Sequence, residues 1–451
     1  MELTQDLGRR IAAADGGNMG ADTLAIARMG IMDAVATAYA GADEPVARIA
    51  AEYARRRGIE GAAYCRLPWD ARPLPAPLAA LAFGTAAHAL DYDDVALGGH
   101  PSTVLAPVVL CEGLSQGLPG RRCLQAYTVG YQVWAEMFRR EADPLHPKGW
   151  HPTAMYGVVA GAAALAWLRG LQAPQAAAAL SLAASLASGL VANFGTMTKP
   201  LHAGRAASLA FDALEFSGMG LTSAPDVLEH RAGFLHAISQ AGRIDRNLPL
   251  ADDWLLARHG LCIKKYPVCY SGHRVIDAVI ALAKAHDLRP QQVREVHVGL
   301  GPSQLSMLRN QAPQTALEAK FSIQFAVAAA LDARAVGLAQ LRDEYVRTPA
   351  VQACFARVRP YVIDQADPED PTFSAYDEVR LVLEDGRELA SGPVRTATGD
   401  ARNPLSDAEL RRKFEDCVGR NASAGAPAAV LAGRLLALAD CADVNQLFAP
   451  A

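Results

Sequence analysis

The sequence predicts a mainly α-helical protein in which a large all-helical domain is joined to a smaller α+β domain. Through the first 260 residues, apolar side chains recur at three- and four-residue spacing, in segments dominated by alanine, the best helix former. After that point, segments that alternate between apolar and polar residues predict strands among shorter helices. Helical patterns then return, so we assign residues 1–259 and 396–451 to the helical domain and 260–395 to the α+β domain.

Seven long helical patterns are predicted in the first half of the chain. The first opens with an acidic residue, Asp22, and runs to Gly41. The other six lie at about 77–90, 103–117, 121–140, 153–169, 174–190 and 203–218. Small residues on several of these segments allow close approach, which indicates a bundle of packed helices.

The smaller domain mixes both kinds of pattern. Asp385-Gly386 is a hairpin turn signal between two of its alternating segments. The predicted elements are strands at 295–301, 377–384 and 387–394 and helices at 272–286 and 318–331. Two further helical patterns, in LSDAELRRKFEDCVG and APAAVLAGRLLALAD, return the chain to the helical domain.

Charge and cysteine content argue against several classes of protein. The 451 residues carry a formal net charge of −4, which gives no reason to expect a nucleic-acid partner. None of the eight cysteines forms a C-x-x-C pair, which zinc ribbons and most iron–sulfur sites need. We therefore expect reduced thiols in a cytoplasmic protein and no iron–sulfur cluster.

Two segments bear on targeting and membranes. The beginning of the chain has early acidic residues and no apolar core of signal-peptide length, so we expect no secretory signal. The uncharged segment 170–198 is rich in alanine and contains serine, glutamine and asparagine, whereas a membrane span needs about 20 strongly apolar residues. It predicts buried, closely packed helices, and we expect no membrane partner.

An acidic segment, His88-Ala-Leu-Asp91-Tyr92-Asp93-Asp94, ends an apolar helical pattern. Three carboxylates at the negative end of a helix dipole repel one another, which a fold tolerates when a cation or catalysis uses them. Crowding also raises the pKa of one carboxyl, which suits general acid–base catalysis. A solvated acidic turn and a Mg²⁺ or Ca²⁺ site are the alternatives.

A His-Pro pair precedes two strongly apolar helices, at His100-Pro101 and at His151-Pro152. Proline suits the first turn of a helix, and the N–H groups of that turn bind anions such as carboxylates. The positive end of the dipole also favours a neutral imidazole, which can transfer protons. The recurrence favours a paired role for the two histidines, and simple helix capping is the alternative.

Cations gather at two places. Lys199, His202 and Arg205 lie together where proline and glycine interrupt an apolar region, and buried cations need anions such as substrate carboxylates. A structural salt bridge to the acidic segment is the alternative. Lys264 and Tyr266 lie at the junction into the second domain, where small-molecule sites concentrate, although an exposed basic turn would give the same pattern. The usual motifs for nucleotide binding, zinc proteolysis and serine hydrolysis are missing from the sequence.

These segments, in this order, resemble the MmgE/PrpD family. The matching stretches are GTAAHALDYDD at 84–94, HPSTVLAPVVL at 100–110, GWHPTAMYG at 149–157, ASGLVANFGTMTKPLHAGRAA at 187–207, KKYPVCYSGH at 264–273 and EAKFSIQF at 318–325. The resemblance implies a helical domain and a smaller lid domain with the site in the cleft between them. It also implies a homodimer, no metal or other cofactor, and a small polycarboxylate as substrate.

The resemblance also implies a set of site residues. The family's active-site positions carry over to Asp91, His100, His151, Lys199 and Lys264, which we predict as catalytic. We predict further substrate contacts from His202, Arg205, Tyr266 and Phe325.

Two departures from the family pattern bear on the reaction. Val95 stands where members often have threonine, and Phe325 stands where decarboxylases of the family have an active-site tyrosine. A missing hydroxyl removes a hydrogen bond or a proton donor. We therefore predict a lyase of the 2-methylcitrate dehydratase type, acting by α-proton transfer on a small di- or tricarboxylate. Epimerisation of an iminodisuccinate-like dicarboxylate is the alternative, ahead of cis-aconitate decarboxylation and of a non-enzymatic helical scaffold.

Overall fold

A computed structural model describes residues 2–58, 64–141, 143, 145–368, 370, 372–421 and 425–449. The chain divides into two compact units, Met1–Ile263 with Ser406–Ala451, and Lys264–Leu405. The first is built mainly of helices, and the second combines helices with a mixed sheet. The predicted fold class, mainly α with a smaller α+β part, is confirmed.

Eleven α-helices precede Lys264 in the described part of the chain. They are α1 (Leu3–Ala13), α2 (Ala21–Gly41), α3 (Pro45–Arg57), α4 (Ala76–His88), α5 (Ser102–Gln116), α6 (Gly120–Phe138), α7 (Pro152–Leu168), α8 (Ala173–Leu186), α9 (Thr198–Gly218), α10 (Phe234–Ile238) and α11 (Leu255–His259). An antiparallel hairpin of β1 (Tyr64–Leu67) and β2 (Asp70–Pro75) lies between α3 and α4 and was not predicted.

Small residues determine how the central helices of the first unit pack. All 17 residues of α7 are buried, and α7 packs against α5, α6, α8 and α9. Helices α4 and α9 touch at two glycines: a Cβ atom on Gly84 would lie only 2.9 Å from the Cα atom of Gly204. This close crossing holds the first turns of α9 beside α4.

Segment 170–198 differs from its prediction. Helix α8 ends at Leu186, and residues 187–197 form a partly exposed loop that contains one short 3₁₀ turn, Val191–Asn193. Gly189 has a φ of 155°, a backbone conformation that favours glycine, and it lies three residues after the end of α8. The loop leads directly into α9. Among the described residues, no helix is both long and apolar enough to cross a bilayer.

The second unit, Lys264–Leu405, contains a four-stranded sheet with helices packed on it. Its elements are α12 (His273–Ala285), β3 (Val293–Leu300), α13 (Pro302–Met307), α14 (Ala316–Ala319), α15 (Ile323–Asp332), α16 (Asp343–Val346), α17 (Pro349–Phe355), β4 (Val358–Val362), β5 (Glu378–Leu383) and β6 (Glu388–Ala390). The strand order is β4-β3-β5-β6, with β3 and β4 parallel and the other pairs antiparallel. The single helix predicted at 318–331 is two helices, because Ser322 caps a new start at α15.

The end of the chain returns to the first unit through α18 (Asp407–Val418) and α19 (Ala428–Leu436). Ser406 and Glu409 form a capping box that begins α18, in which each side chain accepts a hydrogen bond from the other residue's backbone N–H. Helix α18 packs against α2.

Candidate active site

The acidic segment lies at the end of α4, in the first unit. Helix α4 ends at His88, and the chain then turns so that Asp91, Asp93 and Asp94 are all buried. Asp91 has a φ of 55°, in the left-handed region that aspartate tolerates better than most residues. The turn therefore directs neighbouring carboxylates to different partners.

Asp93 is the carboxylate that joins two histidines. Its oxygens lie 3.0 Å from Nδ1 of His88 and 2.7 Å from Nδ1 of His100. An ionised carboxylate can only accept hydrogen bonds, so each imidazole donates to it through Nδ1–H. The Nε2 atom of each ring can then make a different contact. Burial alone would raise the pKa of Asp93, but the two imidazoles outweigh it and hold the pKa well below the ordinary value.

His100 is held in place by its backbone as well as its ring. Its N–H donates to Oγ1 of Thr153 on α7, and its carbonyl accepts from Oγ1 of Thr103 on α5. Its Nδ1 also lies 2.9 Å from the carbonyl oxygen of Asp94. The other ring nitrogen, Nε2, lies 3.8 Å from Oδ1 of Asp91. The ring is thus oriented with Nε2 towards Asp91.

Lys199 supplies the positive charge beside Asp91. It lies in the first turn of α9, and its Nζ is 2.6 Å from Oδ1 of Asp91 and 5.2 Å from the centre of the Phe194 ring. The predicted alternative, a salt bridge between Lys199 and the acidic segment, therefore exists. This ion pair lies among the same side chains as His88 and His100, so it does not remove Lys199 from the candidate site.

The second His-Pro motif brings His151 next to a further histidine, His202. His151 is the N-cap residue of α7, and its Nδ1 lies 3.2 Å from Nδ1 of His202 on α9. Burial, followed by the charge of Lys199, lowers the pKa of both rings, and that of His151 falls well below its ordinary value. The Nε2 atom of His151 is buried and has no hydrogen-bond partner within the described residues.

His88 completes this group. Its ring stacks on His151 at 5.8 Å between centres and lies 4.4 Å from the ring of His100. Burial lowers the pKa of His88 to about 3, although Asp93 acts in the opposite direction, so the ring is neutral. Its Nε2 also makes no hydrogen bond within the described residues. We call the whole group the His–Asp–Lys cluster: His88, Asp91, Asp93, His100, His151, Lys199 and His202.

Four members of the His–Asp–Lys cluster are residues of the types that bind metal ions. His88, Asp91, Asp93 and His100 each offer one ligand atom within 4.8 Å of the others. The Nδ1 atoms of both histidines already donate to Asp93, and the Lys199 ammonium group occupies the cation position next to Asp91. The donor set is therefore satisfied by protons and by a lysine, which fits a cofactor-independent site better than a metal site.

Four of the predicted site residues lie outside this cluster. Arg205 is exposed on α9, and its charge acts on Asp212. The other three belong to the second unit. Lys264 is buried, the Tyr266 hydroxyl donates to Asp277 at 2.5 Å, and the ring of Phe325 lies in the hydrophobic core. The assignment of these three residues to the site stays a prediction from the sequence.

Sequence reasoning missed two members of the His–Asp–Lys cluster and two residues beside it. His88 and Asp93 were quoted within the acidic segment but were not chosen as site residues, and His146 and Phe194 were not considered. Burial, followed by Lys199, lowers the pKa of His146 to about 4, and its ring meets Phe194 edge-on at 5.9 Å. The polar spacing within HALDYDD was the available signal for the first two.

The chain belongs to the MmgE/PrpD family, as its sequence motifs predicted. Residues 5–247 match the MmgE/PrpD N-terminal domain and residues 266–430 match the MmgE/PrpD C-terminal domain. The cis-aconitate decarboxylase of Mus musculus is 30% identical over 358 residues, which cover 76% of this chain and 71% of that protein. Cis-aconitate decarboxylases of Homo sapiens and Aspergillus terreus are 28% and 24% identical, covering 85% and 88% of this chain and 81% and 85% of their own lengths. The family is one of enzymes, and these relatives are lyases.

Proposed function

We propose that this protein is a cofactor-independent lyase that acts on a small di- or tricarboxylate by moving a proton at a carbon next to a carboxylate. Dehydration of a hydroxy acid of the 2-methylcitrate type is the first candidate reaction. The proposal also includes a cytoplasmic homodimer and the predicted catalytic set of Asp91, His100, His151, Lys199 and Lys264.

One observation carries the proposal. In the His–Asp–Lys cluster, a lysine, a carboxylate and neutral histidines meet in a largely buried space, and two of the imidazole Nε2 atoms lack a partner within the described residues. Buried polar atoms in folded proteins nearly always have a hydrogen-bond partner. Atoms that lack one are therefore where a polar ligand gains most by binding. A substrate carboxylate matches the positive charge of Lys199 and an N–H on Nε2 of His151, whereas Nε2 of the neutral His88 ring carries a lone pair that can accept from a substrate hydroxyl.

His100 is suited to remove the α-proton. Because its Nδ1–H is held by Asp93, the neutral form of this ring has its lone pair on Nε2, on the side that faces Asp91. The negative charge that then develops on the substrate carboxylate is enolate-like, and the ammonium group of Lys199 stabilises it. Preorganised charge of this kind supplies several kcal/mol of transition-state stabilisation. The departing hydroxyl needs a proton, which Asp91 can deliver after it accepts the abstracted proton from Nε2 of His100, 3.8 Å away.

His151 and His202 together are suited to bind a substrate carboxylate. Both rings are neutral, so one of the two Nδ1 atoms donates to the other. When His202 donates, the proton of His151 lies on Nε2, the atom without another partner, and it can donate to a carboxylate oxygen. The position of one proton on His202 thereby sets whether His151 is a donor or an acceptor.

Decarboxylation of cis-aconitate is the second candidate reaction, and the identity of the curated relatives favours it. The same side chains would bind the carboxylates, and protonation of the carbon that loses CO₂ would replace α-proton removal. Against this candidate, the sequence has Phe325 at the position that matches the decarboxylase tyrosine. That ring is fully buried in the core of the second unit, where it meets the Tyr345 ring edge-on.

The two candidates differ in their products. Purified protein is incubated in D₂O with 2-methylcitrate, citrate, cis-aconitate and, as a dicarboxylate, iminodisuccinate, while headspace CO₂ and deuterium at the α-carbon are measured. Loss of water from a hydroxy acid with little CO₂ from cis-aconitate supports dehydration. Brisk CO₂ release supports decarboxylation and shows that the tyrosine is dispensable. Deuterium exchange with neither product supports an epimerase, and inactivity on all four substrates contradicts the proposal.

A further inference from the structure

A lysine near the C-terminal end of the chain, Lys413, contacts the acidic segment at Tyr92. Lys413 of α18 is 4% exposed at its side chain, and its Nζ lies 2.6 Å from Oδ1 of Asp33, in the middle of α2. The same Nζ donates to the carbonyl oxygen of Tyr92 at 2.8 Å and lies 4.0 Å from the centre of the Tyr92 ring. All three residues belong to the first unit.

The ion pair and the bond to Tyr92 have different consequences. A buried ammonium group requires a counter-charge, and Asp33, itself 0% exposed, supplies one. That requirement would be met without Tyr92. The additional hydrogen bond and the cation–π contact instead act on the residue between Asp91 and Asp93.

The backbone at this point needs restraint. Asp91 has a φ of 55°, a sparsely populated conformation that persists where the surrounding structure holds it. The peptide after Asp91 leads into Tyr92, and the next peptide leads into Asp93. A rotation at Tyr92 would therefore move the carboxylate that pairs with Lys199 and the carboxylate that orients His100 at the same time.

We propose that Lys413 is a positioning residue for this site, which fixes the Tyr92 peptide so that Asp91 and Asp93 keep their partners. Lys413 reaches the site through Tyr92 and contacts no reacting atom. The inference rests on the proposed function in one respect only, that the His–Asp–Lys cluster carries the reaction. It adds a requirement for the C-terminal helix α18 in catalysis by the His–Asp–Lys cluster, whose members lie between His88 and His202.

The test compares Lys413→Met with Asn421→Ala. Asn421 follows α18 and donates to the carbonyl oxygen of Tyr39 on α2, so it links the end of α18 to α2 through a different residue of that helix. We expect Lys413→Met to lower kcat by about 10²-fold, the loss typical of a misplacement of about 1 Å, with KM changed less than threefold. Asn421→Ala should lower the melting temperature but leave kcat within about threefold of wild type.

A second variant and a second measurement keep the test decisive. Lys413→Met alone removes the lysine that pairs with the buried Asp33, so the double variant Asp33→Asn/Lys413→Met, which removes both charges, is measured beside it. The ¹⁵N spectrum of the His100 ring, identified by its loss in His100→Gln, reports the Asp93 contact without any substrate. We expect it to change in both Lys413 variants and to stay unchanged in Asn421→Ala.

These readings separate this inference from the proposed function. Wild-type inactivity on every carboxylate would reject the proposed function, and the His100 spectrum would still decide the role of Lys413. An unchanged His100 spectrum in the folded double variant would overturn the positioning role. So would a loss of kcat that Asn421→Ala reproduces at the same loss of melting temperature.

Discussion

The Nζ atom of Lys199 lies 2.6 Å from Oδ1 of Asp91, and the two side chains are only 8% and 9% exposed. A buried ion pair seldom adds net stability, because desolvation of both charges offsets their attraction. The pair therefore points to chemistry more than to folding. A cation that stabilises developing negative charge stands next to a group that can exchange a proton.

Replacing Lys199 by methionine should lower kcat/KM by about 10²–10³-fold, because one preorganised charge contact is lost. Lys284→Met, a substitution at an exposed lysine of α12, is the matched control and should change neither rate nor stability. Steady-state kinetics with the best substrate, together with circular dichroism of both variants, measure the effect. A Lys199→Met protein with near wild-type activity would mean that Lys199 is structural and that the site is misplaced.

Asp93→Asn should uncouple the two histidines. Oδ2 of Asp93 lies within reach of both Nδ1–H groups. An amide is neutral and has an NH₂ donor in place of one oxygen, so it accepts more weakly from these groups and favours a change of tautomer in one ring. We expect kcat to fall by about 10²-fold or more, within the range that general acid–base catalysis contributes. The pH dependence of kcat should shift as well. Retention of the wild-type pH profile would show that Asp93 does not orient His100.

Asp94 should make stability depend on pH in a predictable direction. Burial, reinforced by the charges of Asp33 and Asp93, raises the pKa of Asp94 well above its ordinary value, so the folded state keeps this proton. Above a pH of about 3.9 the unfolded state releases it. The contribution of Asp94 to the free energy of unfolding therefore falls with rising pH, by on the order of 1 kcal/mol per pH unit, until the folded pKa is reached.

Asp94→Asn removes this dependence while it keeps an oxygen that can accept from the N–H of Ser102. We expect the free energy of unfolding of the variant, relative to wild type, to increase steadily between pH 5 and pH 8. Urea titrations at four pH values measure the difference. A constant difference across that range would show that Asp94 is ionised in the folded protein.

Chelators should leave activity unchanged. In the group formed by His88, Asp91, Asp93 and His100, Lys199 already neutralises one carboxylate and the two histidines donate to the other. We expect the same rate before and after dialysis against EDTA. Activity that disappears in EDTA and returns with a divalent ion would instead identify these four side chains as ligands.

The helical periodicity placed most elements of the first unit within a few residues. The pattern at 77–90 is α4, Ala76–His88, and the pattern at 153–169 is α7, Pro152–Leu168. Several elements with weaker patterns were not predicted. Among them are helix α3, Pro45–Arg57, and strand β4, Val358–Val362. Four of the five residues of β4 are exposed, so the strand lacks the clear alternation that a half-buried strand shows.

Helix ends were less predictable than helix cores. The start of α9 was placed at 203, but the helix begins at Thr198 and includes Pro200 in its first turn, where proline is tolerated. This difference matters for the site, because it places Lys199 on the helix and not in a preceding loop. The opposite error occurred at α8, which ends at Leu186 instead of 190.

The sequence by itself determined the fold class, the family and the chemical types present at the site, because helical periodicity and short motifs are local properties of the chain. Only the tertiary structure decided what three carboxylates within four residues do. Asp91 pairs with Lys199, Asp93 with two histidines, and Asp94 is desolvated and protonated. Hydrogen-bond partners and desolvation depend on how helices far apart in the chain pack together, and local patterns do not specify that packing.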